Sequence, residues 1–288
     1  MPGDPVQGHQ WNDHRRTING ILWKVRTGAP WRDLPERYGN WKSVYDRHRR
    51  WSADGTWERI AEALRIDADT GETLAAPTVG VDSSSVRAHQ HAAGGSARAP
   101  GRTVGKGGSL TRLDRDGRKA LGRSRGGLTT KIHLAADLRC RPVVTVTSPG
   151  QRADSVMVTE VLRVLRFPTS GPGRPRTRPS RILADKAYSS HAIRVELRRR
   201  RIIAVIPERR DQRANRARKG SAGGRPPAFD AAAYRDRNTA ERCFNKLKQH
   251  RAVATRYDKH DYIYQGTLTV ASIRTWLHDL TTRSPDTT

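Results

Sequence analysis

Near position 77 the spacing of apolar residues changes, and that change constrains the fold more than any other feature of the chain. Before it, apolar residues recur every three to four positions. After it, they come in short runs and alternations bounded by turn residues. Ile18, Ile21, Leu22 and Val25 fall at i, i+3, i+4 and i+7, one face of a helix, with Asn12 or Asp13 to cap its start and Gly28 past its end. Pro30 and Pro35 forbid its continuation. Trp41, Val44, Tyr45 and His48 repeat the spacing behind Asn40, and Trp57, Ile60, Ala61 and Leu64 repeat it again. The spacing predicts three helices over 12–66, each hiding one stripe and showing Arg or Lys elsewhere. A small all-helical, helix-turn-helix-like N-terminal domain over 1–66 fits this pattern, as does a plain bundle that packs on its neighbour.

Residues 67–76 read as a linker. Pro77 to Val81 is a short strand ending at Asp82, and 92–126 is a basic Gly/Ser-rich loop without apolar period. Gly127 to Ala135 alternates as a strand and pairs in a hairpin with Pro142 to Thr147. A helix over Ser155–Leu165 follows, with Asp154 as its expected cap. The Arg181–Ala184 strand ends at Asp185, and a basic helix over Ser189–Arg200 leads to a fifth strand, Ile202–Ile206. A second basic loop, 208–228, precedes a long helix over Ala231–Gln249, and a last helix carries Ile273, Trp276, Leu277 and Leu280. No internal repeat is present. A meander followed by alternating helices and strands predicts an α/β domain over 77–282, a mixed five-stranded sheet covered by helices, in the order seen in the ribonuclease-H-like fold.

The formal net charge is +27, from 55 Lys and Arg against 28 Asp and Glu. Such an excess seeks a polyanion, and nucleic acid leads, because each phosphate contact releases a counterion. An arginine-rich solubilising surface is the plainer reading; the blocky distribution favours nucleic acid. No stretch approaches the roughly 18–20 apolar residues of a membrane span, and Met1-Pro2-Gly3-Asp4 opens no signal peptide. Cys140 and Cys243 are too few for a disulfide framework or a cysteine-based zinc site. These features predict a soluble protein of a reducing compartment with no membrane partner.

Asp82 and Asp185 each end an apolar strand, the edge where open α/β sheets place functional groups. If the strands are neighbours the carboxylates converge, and two such anions call for a divalent metal. Turn or cap roles are the alternative for either residue alone. On the late helix Tyr234, Arg237, Glu241 and Lys248 share an arc of about 60° at about 100° per residue. Ala233, Ala240, Phe244 and Leu247 fill the adjacent apolar arc. One face therefore buries and the next presents a carboxylate between cations and a phenol, which suits phosphodiester chemistry: acids for metal, cations for phosphate. A solvated ion-pair ladder is the rival.

The run Tyr234-x2-Arg237-x3-Glu241-x6-Lys248 resembles the signature of bacterial insertion-sequence DDE transposases. Four blocks resemble the insertion-sequence-five group of the insertion sequence four/five superfamily: Val81-Asp82-Ser83-Ser84-Ser85, Arg125-Gly126-Gly127-Leu128-Thr129-Thr130-Lys131, Leu183-Ala184-Asp185-Lys186-Ala187-Tyr188 and Glu241-Arg242-Cys243-Phe244-Asn245-Lys246. Gly28-Ala29-Pro30-Trp31-Arg32-Asp33-Leu34-Pro35 is similar to the domain before the nuclease core. The blocks occur in order from about 12 to 280. The resemblance implies two Mg²⁺ ions, replaceable by Mn²⁺, held by catalytic Asp82, Asp185 and Glu241. It implies cleavage at the ends of an element and strand transfer into target DNA, with no covalent protein–DNA link. Tyr234, Arg237 and Lys248 would then contact DNA near the cut, with Arg125 and Lys186 as further backbone contacts. It implies double-stranded DNA as partner, a homodimer or higher oligomer on it, and a cytoplasmic, nucleoid-associated place in a bacterium. It also implies a longer segment before residue 12, so the sequence predicts a DNA-binding domain shortened at its start.

His89 and His91 permit a soft-metal site only in part, two ligands being too few, so surface or DNA contact is expected. Cys243 lies on the far side of the helix from Glu241 and is expected in the core. Trp31, Trp41 and Trp51 are expected to pack rather than stack on bases. Two rival functions share these features: a ribonuclease-H-like nuclease that only hydrolyses, and a non-catalytic DNA-binding remnant.

Overall fold

The computed structural model describes residues 13–67, 77–93, 120–168 and 174–282. Helices α1 (His14–Thr27), α2 (Trp41–Ala53) and α3 (Thr56–Asp67) follow the expected spacing. The Asp13 and Asn40 side chains accept from the Arg15 and Lys42 amides, and Gly28 ends α1 in the left-handed conformation. Next come β1 (Thr78–Ala88), a short α4 (Gln90–Ala93), β2 (Gly122–Ser124), β3 (Gly127–Ala136) and β4 (Pro142–Pro149). After α5 (Asp154–Val164) the chain runs through β5 (Arg181–Ala184), α6 (His191–Arg199), β6 (Ile203–Val205) and α7 (Arg210–Arg218). Its last elements are α8 (Ala231–Tyr234), α9 (Asn238–Lys248), α10 (Arg251–Ala254), β7 (Thr255–Arg256) and α11 (Asp261–Thr281).

The five expected strands form one sheet in the spatial order β4-β3-β1-β5-β6, antiparallel across β4, β3 and β1 and parallel from β1 through β5 to β6. This is the ribonuclease-H-like order. Two short strands, β2 and β7, extend the sheet to seven among the described residues. Side chains alternate across β1. Val79 and Val81 join a core under α5 and α6, and Val86 joins a second core under α9 and α11.

That second core also contains Ile21, Val25, Trp51 and Trp57 from α1–α3. The N-terminal helices therefore share one apolar interior with the sheet, and α11 is its axle, touching α1, α2, α3, α9 and β4. Trp51 is fully buried, as expected, and Trp31 and Trp41 pack against this core. In α11 the buried stretch runs from Ile263 to Trp276, while Leu277 is exposed. The sequence pattern had marked only the outer end of that helix. No helix among the described residues is long and apolar enough to cross a membrane.

Three local expectations are corrected. The basic stretch 208–228 is not a loop throughout: Arg210–Arg218 forms α7, with no buried residue. Arginine is a good helix former even without an apolar stripe, and the Glu208–Arg216 ion pair ties the helix down. Asp154 is the first helical residue of α5 rather than its cap; Ala153 takes the cap position, and Asp154 pairs with Lys131 at 3.0 Å. The second half of the loop 92–126 ends in strand β2, while 94–119 lie outside the described residues, as do 1–12, where the shortened start was expected.

Gly266 is where α11 meets α2. A Cβ there would lie 2.0 Å from Ser52 Oγ and 2.6 Å from Ser52 Cβ. Gly266→Ala should therefore destabilise the protein by about 1–3 kcal/mol through overpacking, and Ser52→Gly in the same chain should restore much of the loss. Thermal melts of the single and double variants check this.

Candidate active site

β1 and β5 run parallel, with Val81 opposite Ala184 as their last paired residues. Asp82 and Asp185 are the next residue on each strand. Val81 and Ala184 both face the α5–α6 core, so alternation turns both acids to the opposite face, under α9. The residue types fit the positions: apolar strands end where a carboxylate can reach solvent.

Helix α9 lies along β1 on that face. Gly80 permits it: a Cβ there would meet Thr239 Oγ1 at 3.1 Å and Ala240 Cβ at 3.2 Å. Lys248 Nζ donates to Ser84 Oγ at 2.5 Å. Gly80, Asp82 and Ser84 thus form one row of β1 beneath Thr239, Glu241 and Lys248. Sequence reading missed Gly80 and Ser84. The available signal was a glycine inside an apolar strand, which marks a close approach.

The electrostatics of Asp82 report the convergence. Burial pushes its carboxyl up to about 6, against 3.8 ordinarily; the Ser83 amide, bonded at 2.8 Å, opposes the shift. The Asp185 and Glu241 charges push it further up and the Arg237 guanidinium pulls it back. Asp185 also accepts from the Ala187 amide at 2.8 Å, which caps the 3-10 turn Lys186–Tyr188 and holds that strand end in place. Behind it the Tyr188 ring is buried.

The long helix expected over 231–249 stays helical along its backbone but tightens for one turn. α8 ends at Tyr234, a 3-10 turn spans Arg235–Arg237, and α9 begins at Asn238. Tyr234, Arg237, Glu241 and Lys248 still lie together. The Arg237 guanidinium sits 5.7 Å from the Tyr234 ring centre, and its NH2 donates to Glu241 Oε1 at 2.6 Å. Lys186 is exposed one residue past Asp185. Arg125 is not brought to the acids. It lies exposed at the β2–β3 turn, while Leu134 is the β3 residue paired with Asp82. From Gly127, just beyond that turn, to Leu134 is about 23 Å at about 3.3 Å per residue. Cys243 is buried in the core, as expected. His89 packs in tilted contact with His91 and Tyr257, ring centres 4.6 and 4.8 Å apart, as an outward cluster.

A sheet of ribonuclease-H-like order with two acids at adjacent strand ends and a third from a covering helix defines a class of polynucleotidyl-transfer enzymes. Comparison with known proteins is specific. Residues 75–276 match the family described as "Transposase DDE domain", and residues 1–61 match "Putative transposase of IS4/5 family". The chain belongs to the DDE-domain transposase family of the insertion sequence 4/5 type. A relative in Brucella ovis, "Putative transposase for insertion sequence element IS6501", is 27% identical over 52% of this chain and 99% of its own length. The uncharacterized protein y4sN of Sinorhizobium fredii is 39% identical over 28% of this chain, and an uncharacterized 16.2 kDa protein of insertion element IS402 of Burkholderia cepacia is 38% identical over 26%. The chain spans 61% and 52% of those two relatives. A solved Mos1 transposase paired-end complex with left transposon end aligns over 85% of this chain and 82% of that one at 12% identity, with a TM-score of 0.26.

The family implies a divalent metal ion at the acids. Asp82 and Asp185 fit it: hard oxygen donors at neighbouring strand ends, one held partly buried among like charges. Glu241 is turned to Arg237, and among the described residues no group of three His, Cys, Asp or Glu side chains is disposed to hold an ion.

Because the folded-state carboxyl of Asp82 titrates about two units above its ordinary value, the folded chain binds the extra proton between about 3.8 and 6. The contribution of Asp82 to stability in EDTA should therefore fall as pH rises through that window and stay level on either side, while buried His48 and His133, pushed down to about 3 and about 4, contribute a rise of opposite sign. Asp82→Asn should remove only the Asp82 contribution. Its melting temperature should exceed the wild type's above pH 6, with the gap closing near pH 4; melts across pH check the sign.

Proposed function

We propose that the chain is a transposase that binds the ends of an insertion sequence and catalyses metal-dependent strand cleavage and strand transfer into target DNA. The carrying observation is the placement of Asp82 and Asp185 at paired strand ends beneath the Glu241 helix. On this reading 1–66 form the DNA-binding helical domain and 77–282 the catalytic domain. Mg²⁺ is the natural ion, two per site, with Mn²⁺ as substitute, and Asp82, Asp185 and Glu241 hold it. When bound, the metal supplies Lewis-acid charge for in-line displacement at phosphorus.

The chain's own residues set the geometry of that displacement. The β1–β5 pairing fixes two acids on one face, and the Ser83 and Ala187 amides hold their oxygens. Lys248, anchored at Ser84, presents its ammonium one strand step from Asp82, where a scissile phosphate would lie. Arg237 and the Tyr234 ring flank it, and Lys186 extends the cationic rim beside Asp185. Arg125, on the distant hairpin turn, can serve only duplex remote from the cut. Cleavage places a water oxygen on the 5′ phosphate and leaves a 3′ hydroxyl. Transfer joins that hydroxyl to a target phosphate and releases a target 3′ hydroxyl, so the number of diester bonds is conserved. The working unit is a homodimer or higher oligomer on DNA, in the bacterial cytoplasm at the nucleoid.

Asp82→Asn or Asp185→Asn should reduce Mg²⁺-dependent nicking of element-end duplex by about 10²–10³ or more, with binding of the same duplex within a few-fold. A strand-transfer assay on plasmid target separates transposition from hydrolysis alone: joined products are expected, and nicking without joining would leave the hydrolytic nuclease.

Arg237→Ala and Lys248→Ala should each weaken binding to end DNA and lower the slope of log affinity against log salt by about one counterion. An unaltered slope with a lowered melting temperature would assign both residues to holding α8 and α9 together.

A further inference from the structure

Arg237 has two claims on it. Its guanidinium donates to Glu241 Oε1 at 2.6 Å, from the 3-10 turn just before α9, and it lies close enough to act on Asp82 as well. The Glu241 side chain is 47% exposed and the Arg237 side chain 22%. Glu241 can therefore leave the pair without unpacking the helix, whose buried side is Thr239, Ala240, Cys243, Phe244 and Leu247. An exposed i,i+4 pair of this kind is weak and opens readily. Lys248, the other cation of the face, is bonded instead to a neutral hydroxyl on Ser84 and leaves the acids untouched.

We propose that Arg237 is a resident counter-ion that occupies Glu241 until a DNA phosphate draws it off, so that DNA engagement and divalent-cation loading are coupled through one guanidinium. The inference rests on the functional reading above. With Arg237 on Glu241 the site offers the ion two carboxylates; with Arg237 on phosphate it offers three. Coupling is reciprocal, so an ion that claims Glu241 releases Arg237 to the DNA. The chain would in this way hold off the ion at the third ligand until substrate arrives. Arg237 is thus a positioning residue toward Glu241.

The test is direct titration of the full chain with Mn²⁺ alone, without DNA, following free Mn²⁺ by electron paramagnetic resonance. Arg237→Ala should bind Mn²⁺ about tenfold more tightly than wild type, and Arg237→Lys should stay near wild type. In a Glu241→Gln background, Arg237→Ala should change affinity less than about twofold, because the gain passes through that carboxylate. Thermal melts of the same samples confirm that each is folded. Unchanged or weaker binding by Arg237→Ala overturns the proposal, as does an equal gain in the Glu241→Gln background, which would mean general charge repulsion. Asp82→Asn separates the two levels. If it weakens Mn²⁺ binding while Arg237→Ala has no effect, only the coupling falls. If Asp82→Asn leaves Mn²⁺ binding unchanged, the metal role of the acids falls, and the coupling with it.

Discussion

The close approach of α9 to β1 over Gly80 is the contact on which the rest of the site depends. Two strand-end aspartates follow from sheet pairing alone, but they face an open side of the sheet until a helix covers it. With no side chain at Gly80, Thr239 and Ala240 come within van der Waals reach of the strand, and Glu241 and Lys248 are carried over Asp82 and Ser84. The apolar side of α9, with Ala240, Cys243, Phe244 and Leu247 buried, supplies the burial that holds it there. Position and stability therefore come from the same helix: one side packs and the adjoining side carries Glu241 and Lys248.

That helix is supported from behind by α11, which also gathers the three N-terminal helices into the same interior. Buried charges mark this junction. Asp258 is pushed up by burial and pulled back by Lys24 of α1 and by Arg256, and it accepts from Thr267 of α11 at 3.2 Å. Arg256 is itself fully buried, donating to Thr130 on β3 at 2.8 Å. A buried ion network fixes one arrangement more than it adds stability, since removing one partner strands the others. The N-terminal helices are thus oriented relative to the acids by specific polar contacts as well as by apolar packing. A DNA duplex held by those helices would meet the acids in a set geometry.

The positive excess is distributed to match. Around Asp82 the cations are few and placed, each on a named oxygen: Lys248 on Ser84 and Arg237 on Glu241. Elsewhere they are many and exposed, as on α7, which buries nothing. The first set is suited to orient one phosphate, the second to raise the local concentration of any polyanion.

Much of this was legible in the sequence because it rests on local rules. Helical spacing and caps located α1–α3, apolar runs located the five main strands, and acids at two strand ends with a cation–carboxylate face nearby named the candidate site residues. The 3-10 turn before α9 was not legible, because the local spacing of 231–249 does not separate a 3-10 turn from an α-helical one. Nor was α7, whose arginines show no apolar period, or the inner stretch of α11, where polar and small residues such as Gln265, Gly266 and Thr267 are buried against other elements. The sequence by itself determined which residues end strands, which share a helix face, and the sign of the field around them, since those follow from backbone periodicity and charge. Only the tertiary structure decided that β1 and β5 are neighbours, that α9 lies on Gly80, and that Arg237 holds Glu241. Those facts depend on contacts between residues far apart in the chain, which no local spacing encodes.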